Sequence, residues 1–443
     1  MRKSKLMTLA AVTLATALLA ACGSGSGTAR ESTNSAQSDG SSSDKKVMMS
    51  VACLTGGNNE AYAKLIEKEI EEFNANNPYN VELLQEAYSN EQYKTKITTL
   101  MASNAQPDIF FTFEAGFLQP FVEGGKVYPI GDVIESDTEW AAKYQDKSVF
   151  GPVTYDGKIY AVPNTRQIVV MTYNKKLFEE AGAEIPQTYD EFLAVCEALK
   201  NSGRTAFVVP CQEAWYAGQL LQQLANGVGG SALYDETGTG SLEWTDPRYV
   251  EAGEQLAELA EKGYLPEGFL GMTPNEGFEK FNNGEAGMMM NLTSAITMFN
   301  HADNPIYNDI DFFVMPAKNE SAKGVNVGST GQMYAVSSKA ENTEAASAFV
   351  KQLTENRFQQ ELVNLGQVLV TNEPVNKDQV DPMALRMQKV FPDVTTYTPW
   401  FDRVFATGEG TEFNNIAVAI LAGGGPEEQF KNLQQFKIDN ADR

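Results

Sequence analysis

Val47-Met48-Met49-Ser50-Val51-Ala52-Cys53, closed by Thr55-Gly56-Gly57-Asn58-Asn59, reads as a buried strand that ends in a turn. Beyond it, Tyr62, Leu65, Ile66, Ile70 and Phe73 fall at helical spacing, up to Asn76-Asn77-Pro78. Residues 81–84 repeat the strand pattern. Tyr93, Ile97, Leu100 and Met101 repeat the helical one, and Asp108-Ile109-Phe110-Phe111-Thr112 is a third strand. Two β–α–β units in succession imply a parallel sheet covered by helices. Ligands of such sheets bind beyond the carboxyl ends of the strands, where helix starts leave backbone N–H groups free. The loops after Cys53 and Thr112 are therefore the first places to look for a site.

The alternation continues downstream. Residues 167–173 read as a strand, with helices near 175–181 and 189–199. A short strand covers 207–209, and a helix covers 215–226. Residues 234–244, around Gly238-Thr239-Gly240, are expected to form a hairpin. A helix is expected over 247–262, strands over 286–290, 310–315 and 333–336, and helices over 343–353, 413–421 and 427–436. The loops after Val209 and Met290 join those to watch. A chain of 443 residues needs two domains or lobes to bury its apolar residues.

Composition narrows the function classes. With 34 basic and 58 acidic residues the net charge is −24, which disfavours binding to a phosphate backbone. One histidine, His301, excludes a multi-histidine zinc site. Cys53, Cys196 and Cys211 show no CxxC spacing and read as buried, inert thiols. Met288-Met289-Met290 cannot converge on a soft metal, because successive strand residues point to opposite faces. Gly56-Gly57 lacks the nucleotide-binding patterns. No metal and no cofactor are expected.

The first residues read as an address. Met1-Arg2-Lys3-Ser4-Lys5 is cationic, and residues 6–21 form an apolar run that suits a signal-peptide core. Leu19-Ala20-Ala21-Cys22-Gly23 resembles the lipobox of bacterial lipoproteins, which implies a signal peptide over 1–21 and lipid attachment at Cys22. Residues 22–46 then read as the lipidated cysteine and a flexible Ser/Gly-rich tether. The expected location is the cell membrane, lipid-anchored on its outer face. No later run is long and apolar enough to span a bilayer.

Five stretches together resemble the extracellular solute-binding proteins of sugar ABC transporters, the maltose-binding-protein-like family. They are Gln106-Pro107-Asp108-Ile109-Phe110-Phe111 with Phe117-Leu118-Gln119-Pro120-Phe121; Gly157-Lys158-Ile159-Tyr160-Ala161-Val162-Pro163; Tyr173-Asn174-Lys175-Lys176-Leu177-Phe178; Asn283-Gly284-Glu285-Ala286-Gly287-Met288-Met289-Met290; and Ala335-Val336-Ser337-Ser338-Lys339. The resemblance implies an α/β fold of two lobes, a ligand cleft between them, and three interlobe crossings. The crossings are placed near 163–166, 314–317 and 368–372. The N-terminal lobe is then 47–163 with 317–368, and the C-terminal lobe 164–316 with 369–443. The resemblance also implies a carbohydrate ligand, an oligosaccharide for preference, permease subunits with a separate ATPase, and a monomer.

A sugar needs flat aromatic faces and forked hydrogen-bonding groups. The candidates are Trp215 and Tyr216 after a strand end, and Trp400 and Asp402 in the Pro-broken stretch Tyr397-Thr398-Pro399-Trp400-Phe401-Asp402. To these are added Glu114 beyond the third strand, Asn58 and Asn59 in the first βα loop, Arg166 at the first crossing, Asn291 with Ser294, and Ser329 in the Gly328-Ser329-Thr330-Gly331 turn. Trp140 and Trp244 read as structural. The alternatives are a secreted lipoprotein glycoside hydrolase using paired carboxylates, for which Glu114 and Asp402 are the candidates, and a glycan sensor on the same fold.

Overall fold

A computed structural model describes residues 45–299, 303–405 and 408–440, with Asn58 described by its backbone alone. Residues 1–44, on which the expected leader, Cys22 and most of the expected tether fall, and His301 lie outside the described residues.

The strand Val47–Leu54 lies between two parallel neighbours, Val81–Tyr88 and Ile109–Thr112. Its register runs from Val47 opposite Val81 to Leu54 opposite Tyr88. The helix Glu60–Asn76 buries the stripe Tyr62, Leu65, Ile66, Ile70 and Phe73 against this sheet, as its spacing dictates. A fourth strand arrives from far along the chain, Met333–Val336, antiparallel to Ile109–Thr112. One apolar cluster joins residues 49–162 to residues 333–362, so this lobe is built from two pieces of sequence.

The second lobe is organised by the ten-residue strand Thr165–Asn174. Val325–Gly331 and Ala286–Leu292 flank it, with Thr396–Thr398 and Thr205–Val208 outermost. Ile310–Phe313 and Val368–Leu369 also pair with it. Its side chains alternate between two cores. Val169, Met171 and Tyr173 pack on one face, and Ile168 and Val170 on the other. A strand buried on both faces reads as a continuous apolar run, as this one does.

Two expectations are corrected. Residues 234–238 belong to the helix Trp215–Gly238, and 234–244 form no hairpin. The Gly238-Thr239-Gly240 turn signal marks the helix end, where Thr239 N–H donates to Asp235 O (3.0 Å). The only irregularity within that helix is Gly230, at φ 66° and ψ −167°. Burial of Leu233 and Thr237 holds the helix past Gly230. The second correction concerns the crossing placed at 314–317. Val325–Gly331 pairs with residues 165–168 of the large sheet, and Met333–Val336 joins the small one. The chain therefore changes sheets at Gln332, a buried residue held at φ 47°. Asn326-Val327-Gly328-Ser329-Thr330-Gly331 is too polar to read as a buried strand. Long-range partners make it one, since Asn326 Nδ2 donates to Val169 O (2.9 Å) and Val327 N–H to Gln223 Oε1 (2.9 Å).

The connections between the sheets lie side by side. Val162 bridges Tyr334, Thr165 faces Gly331, and Leu369 also faces Thr165. Asn164 ties them together. Its Nδ2 donates to Gln332 O (2.9 Å), its Oδ1 accepts from Gln359 Nε2 (3.0 Å), and its backbone O accepts from Val370 N–H (3.1 Å).

Candidate functional site

The carboxyl ends of strands from both lobes face one cavity of about 300 Å³. One wall comes from the small-sheet lobe. It consists of Leu54 to Gly57 and Asn59, Ser89 and Asn90 at the start of the helix Asn90–Ala102, Lys94 one turn in, and Phe111 and Phe113. The opposite wall is Gln167, Gln212, Glu213, Trp215 and Tyr216 after Thr205–Val208, Asn275 and Phe278, Leu292 and Ser294, and the connection 330–333. Trp400, Asp402 and Arg403 close one end.

The lobes touch on either side of this space. Gly57–Asn59 packs against Thr293–Met298, and Tyr62 OH donates to Ser294 O (3.3 Å). Ala115–Phe117 packs against the short helix Phe401–Val404. The cleft is thus closed by protein contacts at two places, with the cavity between them.

Aromatic rings from both lobes line the cavity among polar side chains. The rings of Trp215 and Tyr216 stack at 3.7 Å and 28°, and Trp215 Nε1 donates to Glu213 Oε2 (2.6 Å). The Arg403 guanidinium lies 4.0 Å from the Trp400 ring centroid and 4.9 Å from that of Phe113. Lys94 Nζ pairs with Asp402 Oδ2 at 3.1 Å, and Arg403 with Glu114 at 3.5 Å. Burial pushes the Asp402 carboxyl up, but Lys94 and Arg403 outweigh it and hold Asp402 below the usual carboxylate range. Burial likewise pulls the Lys94 ammonium down, and Asp402 and Glu91 more than offset this, leaving it above its ordinary value.

Among the candidates from sequence, Asn59, Trp215, Tyr216, Ser294, Trp400 and Asp402 are brought together at the cavity. Four are not. Glu114 is fully buried, contributes nothing to the lining, and has Arg403 as its charge partner. Arg166 pairs with Asp146 (3.4 Å) and stacks over Tyr397. Asn291 is buried in its strand, with Nδ2 donating to Thr172 Oγ1 (2.9 Å). Ser329 is buried in the large sheet. Asn291 and Ser329 are held within the large sheet, Arg166 is half-buried against Asp146 and Tyr397, and Glu114 is engaged by Arg403 from the other lobe. The side chain of Asn58 is outside the described residues. Sequence reasoning missed Lys94, Phe113, Gln212, Glu213 and Arg403. Neither cation carries a local signal for its place, because Asp402 and Glu114, their partners from the facing lobe, lie hundreds of residues away in sequence.

Residues 56–360 match the family described as bacterial extracellular solute-binding protein, well over half of the chain. This chain belongs to that family. The solute-binding protein is 26% identical over 244 residues to a multiple sugar-binding protein of Streptococcus mutans, covering 53% of this chain and 57% of that one. It is also 26% identical over 259 residues to a periplasmic sn-glycerol-3-phosphate-binding protein of Rhizobium meliloti, covering 53% and 55%. The match therefore spans just over half the length of each of these curated relatives. A solved chitin oligosaccharide binding protein superposes with a TM-score of 0.82 over 89% of this chain and 99% of that one, at 22% identity, which shows the shared two-lobe α/β fold.

The remaining expectations about the chain's chemistry concern its thiols and outlying tryptophans. Cys53, Cys196 and Cys211 are free and buried. Burial pushes the Cys53 thiol up to about 11 and Cys211 up to about 12, and raises Cys196 as well. Trp140 and Trp244 are buried within their lobes.

Proposed function

We propose that this solute-binding protein captures a carbohydrate, an oligosaccharide for preference, between its lobes and delivers it to the permease of an ABC importer whose ATPase is a separate chain. The observation that carries this is the lining of the closed cavity. Trp215, Tyr216, Trp400 and Phe113 supply aromatic surface for the C–H faces of a sugar ring. Gln167, Gln212, Asn59 and Asn275 supply amides for hydroxyl edges. The sugar-binding relative and the chitin oligosaccharide binding protein support the same class of ligand.

The protein binds its ligand without turnover. A glycosidase needs two carboxylates facing the scissile bond across the bound sugar. Glu114 is buried outside the lining and Asp402 is tied to Lys94, so this pair does not offer that arrangement. The chain works as a monomer, held by a lipid on Cys22 at the outer face of the cell membrane through the tether of residues 22–46. The lipobox-like Leu19-Ala20-Ala21-Cys22 supports this. No helix among the described residues is long and apolar enough to cross a membrane.

The test is a thermal-shift panel of mono- and oligosaccharides on the full chain, with mass spectrometry of each ligand afterwards. Ligand at a hundredfold its Kd adds about 2.7 kcal/mol of stability. A shift with intact ligand is expected. Cleaved ligand, or no shift with any sugar, refutes the reading. Metabolic labelling with a fatty-acid probe, comparing the wild type with Cys22→Ser, tests the anchor.

A further inference from the structure

Four charged side chains line the cavity among the described residues: Lys94, Glu213, Asp402 and Arg403. Both cations among them are already paired with acids. Lys94 holds Asp402 at 3.1 Å and Glu91 at 3.3 Å. Arg403 holds Glu114 at 3.5 Å, and that carboxylate has no exposed surface. Glu213 accepts from the neutral indole of Trp215, so its negative charge stays uncompensated beside the cavity. The lining therefore carries two cations, each paired with an acid, and one further acid.

Helix starts at the cavity are similarly discharged. A helix N-terminus favours anions through its free N–H groups and its dipole. Here each start brings its own carboxylate. Glu60 accepts from Thr55 Oγ1 (2.8 Å) and the Gly56 N–H (3.4 Å) at one helix. Glu276 accepts from the Thr273 N–H (2.8 Å) in a capping box at another. Glu91 sits in the first turn of the helix Asn90–Ala102, and Glu213 just precedes the helix Trp215–Gly238.

Both ion pairs cross between the lobes. Lys94 and Glu114 belong to the small-sheet lobe, and Asp402 and Arg403 to the segment that reaches across from the other. Opening the cleft would part them, and closing it completes them. An acidic ligand that took Lys94 for itself would strip Asp402 of its ion-pair partner, and one that took Arg403 would leave Glu114 buried without its counter-charge and weaken the hold on Asp402. A buried charge stripped of its partner is strongly unfavourable. A neutral ligand leaves both pairs intact.

We propose that the closed cleft selects uncharged ligands and rejects acidic ones, because closure joins Lys94 to Asp402 and Arg403 to Glu114 between the lobes at one end of the cavity. The inference rests on the carbohydrate reading and narrows it to neutral sugars. It separates this chain from a relative that binds sn-glycerol 3-phosphate, a choice that family membership leaves open.

The experiment is isothermal titration of the full chain at pH 7. The probes are the neutral sugar that gives the largest thermal shift, the same sugar oxidised to its uronic acid, and glycerol 3-phosphate. The wild type is expected to bind the uronic acid at least a hundredfold more weakly than the neutral sugar, and glycerol 3-phosphate not at all. Asp402→Asn leaves Lys94 with only the exposed Glu91 as its partner, so the neutral-to-acid ratio should fall at least tenfold. Lys94→Met removes the cation, and the ratio should stay as high as in the wild type or rise. Circular dichroism checks that both variants fold, and the wild-type comparison decides if either does not. Binding of either acidic probe within threefold of the neutral sugar overturns the inference and leaves the carbohydrate reading standing for a uronic ligand. Failure of every sugar, neutral or acidic, overturns both.

Discussion

Replacing Trp215 by alanine separates a binding surface from a core. The ring is half-buried, with one face stacked on Tyr216 and its N–H given to Glu213. Truncation loses a stack worth about 1 kcal/mol and a hydrogen bond worth about the same. Spread over the roughly 400 residues of the folded body, about 2 kcal/mol lowers Tm by about 2–3 °C. An aromatic anchor in a binding site is worth at least about 2 kcal/mol to the complex. The Kd for the best sugar should therefore rise about thirtyfold. Calorimetric titration gives the affinity, and a thermal melt without ligand gives the stability. Trp244→Ala is the control. Trp244 is fully buried among Tyr249, Phe401, Phe405 and Phe413, and its loss should cost about 3–5 kcal/mol. A Trp215 variant that melts like the Trp244 variant and keeps its affinity would refute the assignment of Trp215 to the cleft.

Gly410→Ala should act on the site from behind. A Cβ there would stand 2.4 Å from Asp402 Cα and from Phe401 O, so the segment carrying Asp402 and Arg403 must move. The expected result is a stability loss of about 1–3 kcal/mol with at least tenfold weaker sugar binding, by melt and titration. The pH response of the closed cleft follows from Asp402, whose carboxyl is held below its ordinary range. Its contribution is fully present above the unfolded value of about 3.9 and is lost as pH falls through the depressed folded value. Lys94 is held above its ordinary value, so its contribution persists up to about pH 10 and is lost beyond it. Fluorescence energy transfer between dyes on the two lobes should stay constant from about pH 5 to 9 and drop below about 4. Asp402→Asn should abolish the acid drop. Cys53, Cys196 and Cys211 should resist a thiol reagent at pH 8 in the native state and react on denaturation, because each thiol is buried and raised.

Local pattern carried the first sheet. Val47–Leu54 and Glu60–Asn76 are legible because their periods of 2 and 3.6 reflect burial against near neighbours in sequence. Val325–Gly331 was illegible because its burial depends on hydrogen bonds to Gln223 and to Val169, which no window of sequence contains. The hairpin expected at 234–244 shows the opposite failure, a true turn signal overruled by the core that claims Leu233 and Thr237. At the site, Trp215 and Trp400 stand out because tryptophan is scarce and a strand end or a proline sets each apart. Glu114, Arg166, Asn291 and Ser329 are absent from the cavity lining. Which way each side chain points depends on tertiary partners such as Arg403 for Glu114 and Thr172 for Asn291.

The late arrival of Met333–Val336 in the small sheet sets an order for synthesis. Ile109–Thr112 has no partner on one side until a strand more than two hundred residues downstream is made. At about 5–20 residues per second, the growing chain carries that open edge for roughly 10–45 s. Throughout this interval the first lobe lacks an edge strand, and the connections tied by Asn164 to Gln332 and Val370 do not exist. A chain interrupted near residue 331 would keep three strands with an unprotected edge of Ile109, Phe110 and Phe111, a template for self-association.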